Sequence, residues 1–207
     1  MEEKSSLEKD IWEIWQILLS AKSAYQYCKY FYAPKTASEI TFVRSSIHIQ
    51  TIRESLLKIV IIELHKLFSN SSNDHYNFQR LIRNFDNNGI YKKLNVPDTT
   101  LKKWRSLLKT HKGSVQKIKL LRNKLYAHTD RNKQGAQAII LSFKDIEALI
   151  KLAELIIQDV HSIIFESDTI FDIPHFNADT FDMLKILAES EAKRRDEIKN
   201  AFLKNRG

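Results

Sequence analysis

Chain breakers are almost absent from this sequence. Four glycines and three prolines in 207 residues leave too few turns for a β sandwich or barrel, which needs a turn signal every ~8–12 residues. The prolines stand at 34, 97 and 174, and the glycines at 89, 113, 135 and 207. Between them apolar residues recur at every third or fourth position, the period of a helix with one buried face. The chain therefore reads as all-α: an antiparallel helical bundle with long helices and a charged C-terminal helical extension.

The stops place the helices. A first is predicted over 6–33, with Ser6 as its N-cap, Leu7, Ile11, Ile14, Trp15, Leu18 and Leu19 on the buried face, and Pro34 as its end. A second is predicted over 38–69, and its nearly all-apolar segment Leu56–Leu64 belongs at the centre of the core. SNSSND at 69–74 is a loop signal. A shorter helix over 75–88 ends at the Asn-Asn-Gly of 87–89. Asp98 is the expected N-cap of a helix over 98–111, and Gly113 the break before another over 114–128. Ser142 should cap a helix reaching Phe165, and a charged helix follows over 178–206. The expected domains are a bundle over 1–167 and a connector with a helical extension over 168–207. A hydrophobic content of 43% is enough for one sizeable core.

Charge speaks to partners. The net charge of +8 makes polyanions such as RNA candidate ligands, with a solvated Lys-rich surface as the plainer account. Cys28 is the only cysteine, so no intrachain disulfide forms and a reducing compartment fits. The N-terminus MEEKSSLEKD has no leader pattern, and no apolar run reaches the ~18 residues of a membrane span. A soluble, cytoplasmic protein with no membrane partner is expected.

One stretch concentrates chemistry: LRNKLYAHTD at 121–130. On a helix advancing about 100° per residue, Val115, Ile118, Leu121 and Leu125 form one apolar stripe. Arg122 and His128 fall on its two flanks, about 120° apart, whereas Asn123, Leu120 and Ala127 point to the opposite side. A half-buried Arg and His need a partner or a ligand. Their separation asks for a helix that unwinds, another element, or a second subunit packed on this face. An imidazole that titrates near neutrality can move a proton, and a guanidinium fork can hold phosphate oxygens. On RNA the 2′-hydroxyl is an internal nucleophile, so such a pair suits metal-free phosphoryl transfer. Asn123 and Tyr126 can orient either member. A His at a helix C-terminus also has a purely structural use, against the helix dipole.

RNKLYAH, residues 122–128, resembles the Arg-x(4–6)-His motif of the HEPN superfamily, with Asn123 matching the usual polar residue after the Arg. The wider RNKLYAHTD, followed by a loop and another amphipathic helix, looks most like the abortive-infection AbiU-type branch. The resemblance covers the motif and the helix order over 1–165, not the tail. It implies a small α bundle that acts as a metal-independent endoribonuclease without cofactor, as a toxin or antiphage effector. It also implies a homodimer with two motifs in one cleft. Carried over by position, Arg122 and His128 are catalytic and Asn123 supports them. Toxins paired with a nucleotidyltransferase antitoxin carry a Tyr two residues after the His; Asp130 stands there, and Tyr126 is not equivalent. A partner that modifies such a Tyr is therefore not expected, although another antitoxin or a neighbouring defence protein stays open.

Other features are weighed against this site. The histidines at 48, 65, 75, 111, 128, 161 and 175 show no HExxH spacing, and one cysteine cannot build a Cys-rich zinc centre, so no metal site is expected. No Gly-rich phosphate loop exists. Glu63 and His65 interrupt an apolar helix; Glu63 is either a supporting partner for Arg122 or the helix's surface edge. Lys102, Lys103, Arg105, Lys109, Lys112, Lys117, Lys119 and Lys124 lead up to the motif, with Trp104 among them. They form either an RNA track or a solvated face, and Lys102, Arg105, Lys117, Lys119 and Lys124 are the residues expected to bind RNA in a track. Two readings compete with a ribonuclease: a non-catalytic HEPN bundle that binds RNA, nucleotide or protein, and a helical adaptor working through the charged tail.

Overall fold

The computed structural model describes residues 2–71, 74–123, 141–169 and 182–204, and every regular element among them is helical. In order these are α1 (Glu2–Tyr32), α2 (Ala37–Ser45), α3 (Ile47–Phe68), α4 (Phe78–Asn84), a 3₁₀ turn (Lys92–Leu94), α5 (Asp98–Thr110), α6 (Lys112–Leu121), α7 (Phe143–Val160) with a π turn over His161–Phe165, and α8 (Met183–Lys204). No described helix is long and apolar enough to cross a membrane. The chain divides into two compact units: Met1–Ala24 with Lys58–Asp172, and Tyr25–Leu57 with Ile173–Gly207. Helices α1 and α3 contribute residues to both.

The first unit is built around α7. Ile146, Leu149, Ile150, Ala153, Ile157 and Val160 are buried as their spacing predicts, joined by Leu152 and Ile156. Leu7, Ile11, Ile14 and Leu18 of α1 are buried on one face, whereas Trp12 is exposed and lies 5.1 Å from the ring of Trp15. Lys22 of α1 pairs with Glu154 of α7 at 2.6 Å. Trp104 of α5 is fully buried against Phe85, ring centroids 6.1 Å apart, and its indole Nε1 donates to Asp159 at 2.8 Å. That bond satisfies the one polar atom that would make a buried indole costly. Tyr91 is also buried, and its hydroxyl donates to Asp10 at 2.6 Å. Burial first, and the Asp10 bond second, push that phenol up to about 12.

The second unit holds a smaller core of Phe31, Val43, Ile49 and Leu184, flanked by Tyr27, Tyr30, Phe42, Leu56 and Met183. The Leu184 amide donates to the Tyr30 hydroxyl at 2.8 Å, and Arg195 reaches Ser45 at 3.1 Å. Only Leu184 and Ala188 of α8 are buried. Most of the rest of that helix is exposed, including Ile186, Ile198, Phe202 and Leu203 among its charged residues, and Arg194 and Arg195 both pair with Glu191.

Several boundaries differ from the sequence expectation, each for a local reason. Helix α1 starts at Glu2, with Glu2 and Glu3 in its first turn where carboxylates favour the positive end of the dipole. Ser6 is therefore inside it, 3.4 Å from the Tyr91 hydroxyl. The single helix expected over 38–69 is two. Ser46 is extended, its amide closes α2 on Phe42 and its hydroxyl accepts from Ile49 at 3.4 Å, the two halves of a stop and a restart. Within α3, Val60, Ile61 and Leu64 are buried but Ile59 is 40% exposed, because one helix cannot turn every residue of an apolar run inward. The helix of 75–88 contracts to Phe78–Asn84 behind the N-cap Asn77. Asp98 is the first helical residue, and Pro97 holds the cap position without a side-chain bond. His111, not Gly113, divides α5 from α6.

Candidate functional site

A cavity of about 900 Å³ opens beside the end of α6. Among the described residues its walls come from one unit: the C-terminal end of α3 and the loop after it, α5, α6, and Gln79 of α4. Helix α6 buries Ile118 and Leu121 in the core, and so aims Val115, Gln116, Lys119 and Arg122 into the cavity. At its end the helix widens into π geometry over Arg122 and Asn123. The Arg122 amide still donates to the carbonyls of Ile118 and Lys119.

A uniform α-helix sends Asn123 to the face away from the apolar stripe, between the directions of Lys119 and Gln116. The cavity wraps round α6 far enough to include both, and Asn123 lines it next to Arg122. The guanidinium Nη1 donates to Asn123 Oδ1 at 3.0 Å. The amide thus holds one arm of the Arg fork at the cavity wall. Both side chains are half-buried, as the flank position predicts for Arg122.

The wall opposite is α3. His65 lines the cavity there, half-buried. Burial first, then the positive charge of Arg122, hold its imidazole below the ordinary value, with Lys119 adding to the effect and Asp74 opposing it. Among the described residues Asp74 is the only carboxylate on the walls, and five cations face it: Arg105, Lys109, Lys112, Lys119 and Arg122. Asp74 is held by the Ser69 hydroxyl, and its own carbonyl accepts from Asn77 Nδ2 at 2.6 Å. Arg105 is ion-paired with Asp86. Among the described residues no carboxylate pairs with Lys109, Lys112, Lys119 or Arg122. The cavity is therefore a concave, strongly cationic surface suited to an anion with several charges.

The basic run sorts cleanly by this geometry. Arg105, Lys109, Lys112 and Lys119 reach the cavity. Lys103 is paired with Asp159 at 2.9 Å and Lys117 with Asp145 at 3.2 Å, so both are spent on the bundle's own acids. Lys102 is exposed and lines no part of the cavity. Trp104, a conceivable stacking surface within that run, is core. Glu63 pairs with Lys66 at 2.9 Å and is not on the cavity wall, the arrangement of a helix edge. Lys124, Tyr126, His128 and Asp130 lie outside the described residues. Sequence reasoning did not name His65 as a site residue, and it placed Lys109 and Lys112 in the basic run but not among the five lysines and arginines expected to bind RNA. The signal for His65 was present: it interrupts the apolar face of α3 two positions after Glu63, and about 200° around the helix from it.

A family model described as HEPN_AbiU2, AbiU2, matches residues 5–194. The match runs well into α8, beyond the limit of 165 drawn from the motif and the helix order alone. No curated protein and no solved structure matches the chain.

Proposed function

The chain belongs to the HEPN_AbiU2 family, the abortive-infection AbiU2 branch of the HEPN superfamily, and from that premise we propose that it is a metal-independent endoribonuclease of antiphage defence. Its substrate is RNA, and its working unit is a homodimer whose two Arg/His motifs share a cleft. The observation that carries this reading is the cationic cavity into which Arg122 and Asn123 project together.

The chemistry follows from the groups. The lysines of the wall draw in the phosphodiester backbone and fix its register without reading bases. Arg122, held by Asn123, places two donors on the non-bridging oxygens of one phosphate. It binds the extra charge that develops as phosphorus becomes pentacoordinate better than it binds the ground state. The adjacent 2′-hydroxyl attacks that phosphorus, the bond to the 5′-oxygen breaks, and the products are a 2′,3′-cyclic phosphate and a 5′-hydroxyl end. His128 exchanges the protons of this step, since an imidazole is the side chain best matched to neutral pH.

The test compares the wild-type chain with Arg122→Ala and His128→Ala on mixed RNA in excess EDTA. Cleavage by the wild type and a loss of at least about a hundredfold in each variant are expected. Cleavage that survives both substitutions would remove the site assignment. Stable RNA binding without cleavage would leave a binding module instead.

A further inference from the structure

We infer that His65 is a second imidazole of the site, the group that accepts the proton of the attacking 2′-hydroxyl. This rests on the ribonuclease reading above and adds a residue to it that lies outside the Arg/His motif.

Three observations meet at His65. It stands on the cavity wall supplied by α3, in the same 900 Å³ space as Arg122 and Asn123 of α6. It is a polar residue between the buried Leu64 and Leu67 on a helix whose neighbouring turns are apolar, and its side chain is partly open to the cavity rather than sealed in the core. Among the described residues its ring has no hydrogen-bond partner. Structural histidines usually donate one ring nitrogen to a fixed acceptor; this one leaves both for whatever occupies the cavity.

The surrounding charges suit the role. The titratable and charged groups around His65 are Arg122 and Lys119 of α6, Arg105 and Lys109 of α5, Lys112 at the start of α6, and Asp74 of the loop after α3. Burial is the larger influence and the positive charge of Arg122 adds to it, so the imidazole is held below its ordinary value, which favours the neutral ring. A general base must be unprotonated before it acts. A bound phosphodiester offsets part of this cationic field once substrate arrives, which raises the basicity of the ring as it takes up the proton.

The step balances with two imidazoles. The 2′-oxygen forms its bond to phosphorus while its proton passes to His65. The bond between phosphorus and the 5′-oxygen breaks, and the 5′-oxygen leaves with a proton from His128 in its imidazolium form. Transfer of protons through solvent then resets both rings. Arg122 stays charged throughout.

The experiment uses the full-length chain, single-stranded RNA and EDTA, with His65→Gln and His65→Asn beside His128→Ala. Thermal melts establish that each variant is folded. A loss of about a hundredfold or more in kcat/KM is expected for both His65 variants, with little change in KM. The acidic limb of the wild-type profile, set by protonation of the base, should disappear in them. A substrate with sulfur in place of the bridging 5′-oxygen separates the roles, because a thiolate leaves without an acid. It should restore cleavage to His128→Ala and not to the His65 variants. Wild-type rate and pH profile in both His65 variants, with His128→Ala inactive, would overturn the inference and leave the ribonuclease reading standing. Rescue of the His65 variants by the sulfur substrate would also overturn it, by making His65 the acid. No cleavage by the wild-type chain would overturn both.

Discussion

Arg122 and Gly89 are constrained at residue scale in different ways, one by charge and the other by space. Arg122 is half-buried with an amide for a neighbour and no carboxylate among the described residues, an arrangement a purely structural arginine would not favour. Gly89 is the reverse case. A Cβ built there would lie 2.1 Å from the carbonyl oxygen of Asn84, and that oxygen is itself pinned by the Tyr91 amide at 2.7 Å. Neither atom is a flexible side-chain end, so the turn must shift. Gly89→Ala is expected to destabilise by about 1–3 kcal/mol in a denaturant melt, whereas at Gly113 a Cβ meets nothing within 4 Å. Gly113→Ala in a helix should be neutral or stabilising by up to about 1 kcal/mol. Trp104→Ala, in the first unit's core, should cost about 3–5 kcal/mol.

At the scale of elements, caps and breaks do most of the specifying. Ser142 caps α7 as expected, and Asp145 completes the capping box three residues on. The Asp145 carboxylate also accepts from the Ser114 hydroxyl at 2.7 Å and pairs with Lys117 at 3.2 Å, tying α6 to α7. The Ser114 bond first, and then the Ser142 bonds, hold that carboxyl well below its ordinary 3.8. A folded-state value depressed below the unfolded one stabilises above about pH 4, and that stability is lost as pH falls toward the folded value. Asp145→Asn should therefore be less stable than wild type at neutral pH, and urea melts should show the gap closing below about pH 4.

The long amphipathic helices, the caps at Ser142 and the buried face of α7 were legible because each is a local pattern. The split at Ser46 was not, since two consecutive serines in an otherwise periodic run carry no turn signature. The half-burial of Arg122 was legible from its flank position. The place of Asn123 was not, because a helical wheel gives the direction of a residue and not how far a cavity wraps round the helix. His65 was visible as an interruption of α3, but its meaning came only from what α6 places across the cavity from it.

At the scale of the whole molecule, the family match through residue 194 brings about half of α8 within the span of the family model. That helix contributes Leu184 to the core of the second unit rather than standing as a detached tail. The described walls of the cationic cavity belong to the other unit, and no carboxylate among the described residues pairs with Lys109, Lys112 or Lys119, so removing their charge should change RNA affinity with little change in the melting of the chain. Replacing Lys109, Lys112 and Lys119 together by Gln should weaken RNA binding and flatten its dependence on salt by about two units of slope, because each phosphate neutralised on a single strand adds about 0.7 to that slope. A titration of affinity against salt reads this directly. A solution mass of two chains is the expected working state, and a strict monomer at working concentration would remove the shared cleft. Everything proposed for the site depends on one route of bond cleavage, and the ends of the product report it. Mass analysis of RNA fragments released by the wild-type chain in excess EDTA should give 2′,3′-cyclic phosphate and 5′-hydroxyl ends. Fragments with 3′-hydroxyl and 5′-phosphate ends, or RNA left intact, would contradict it.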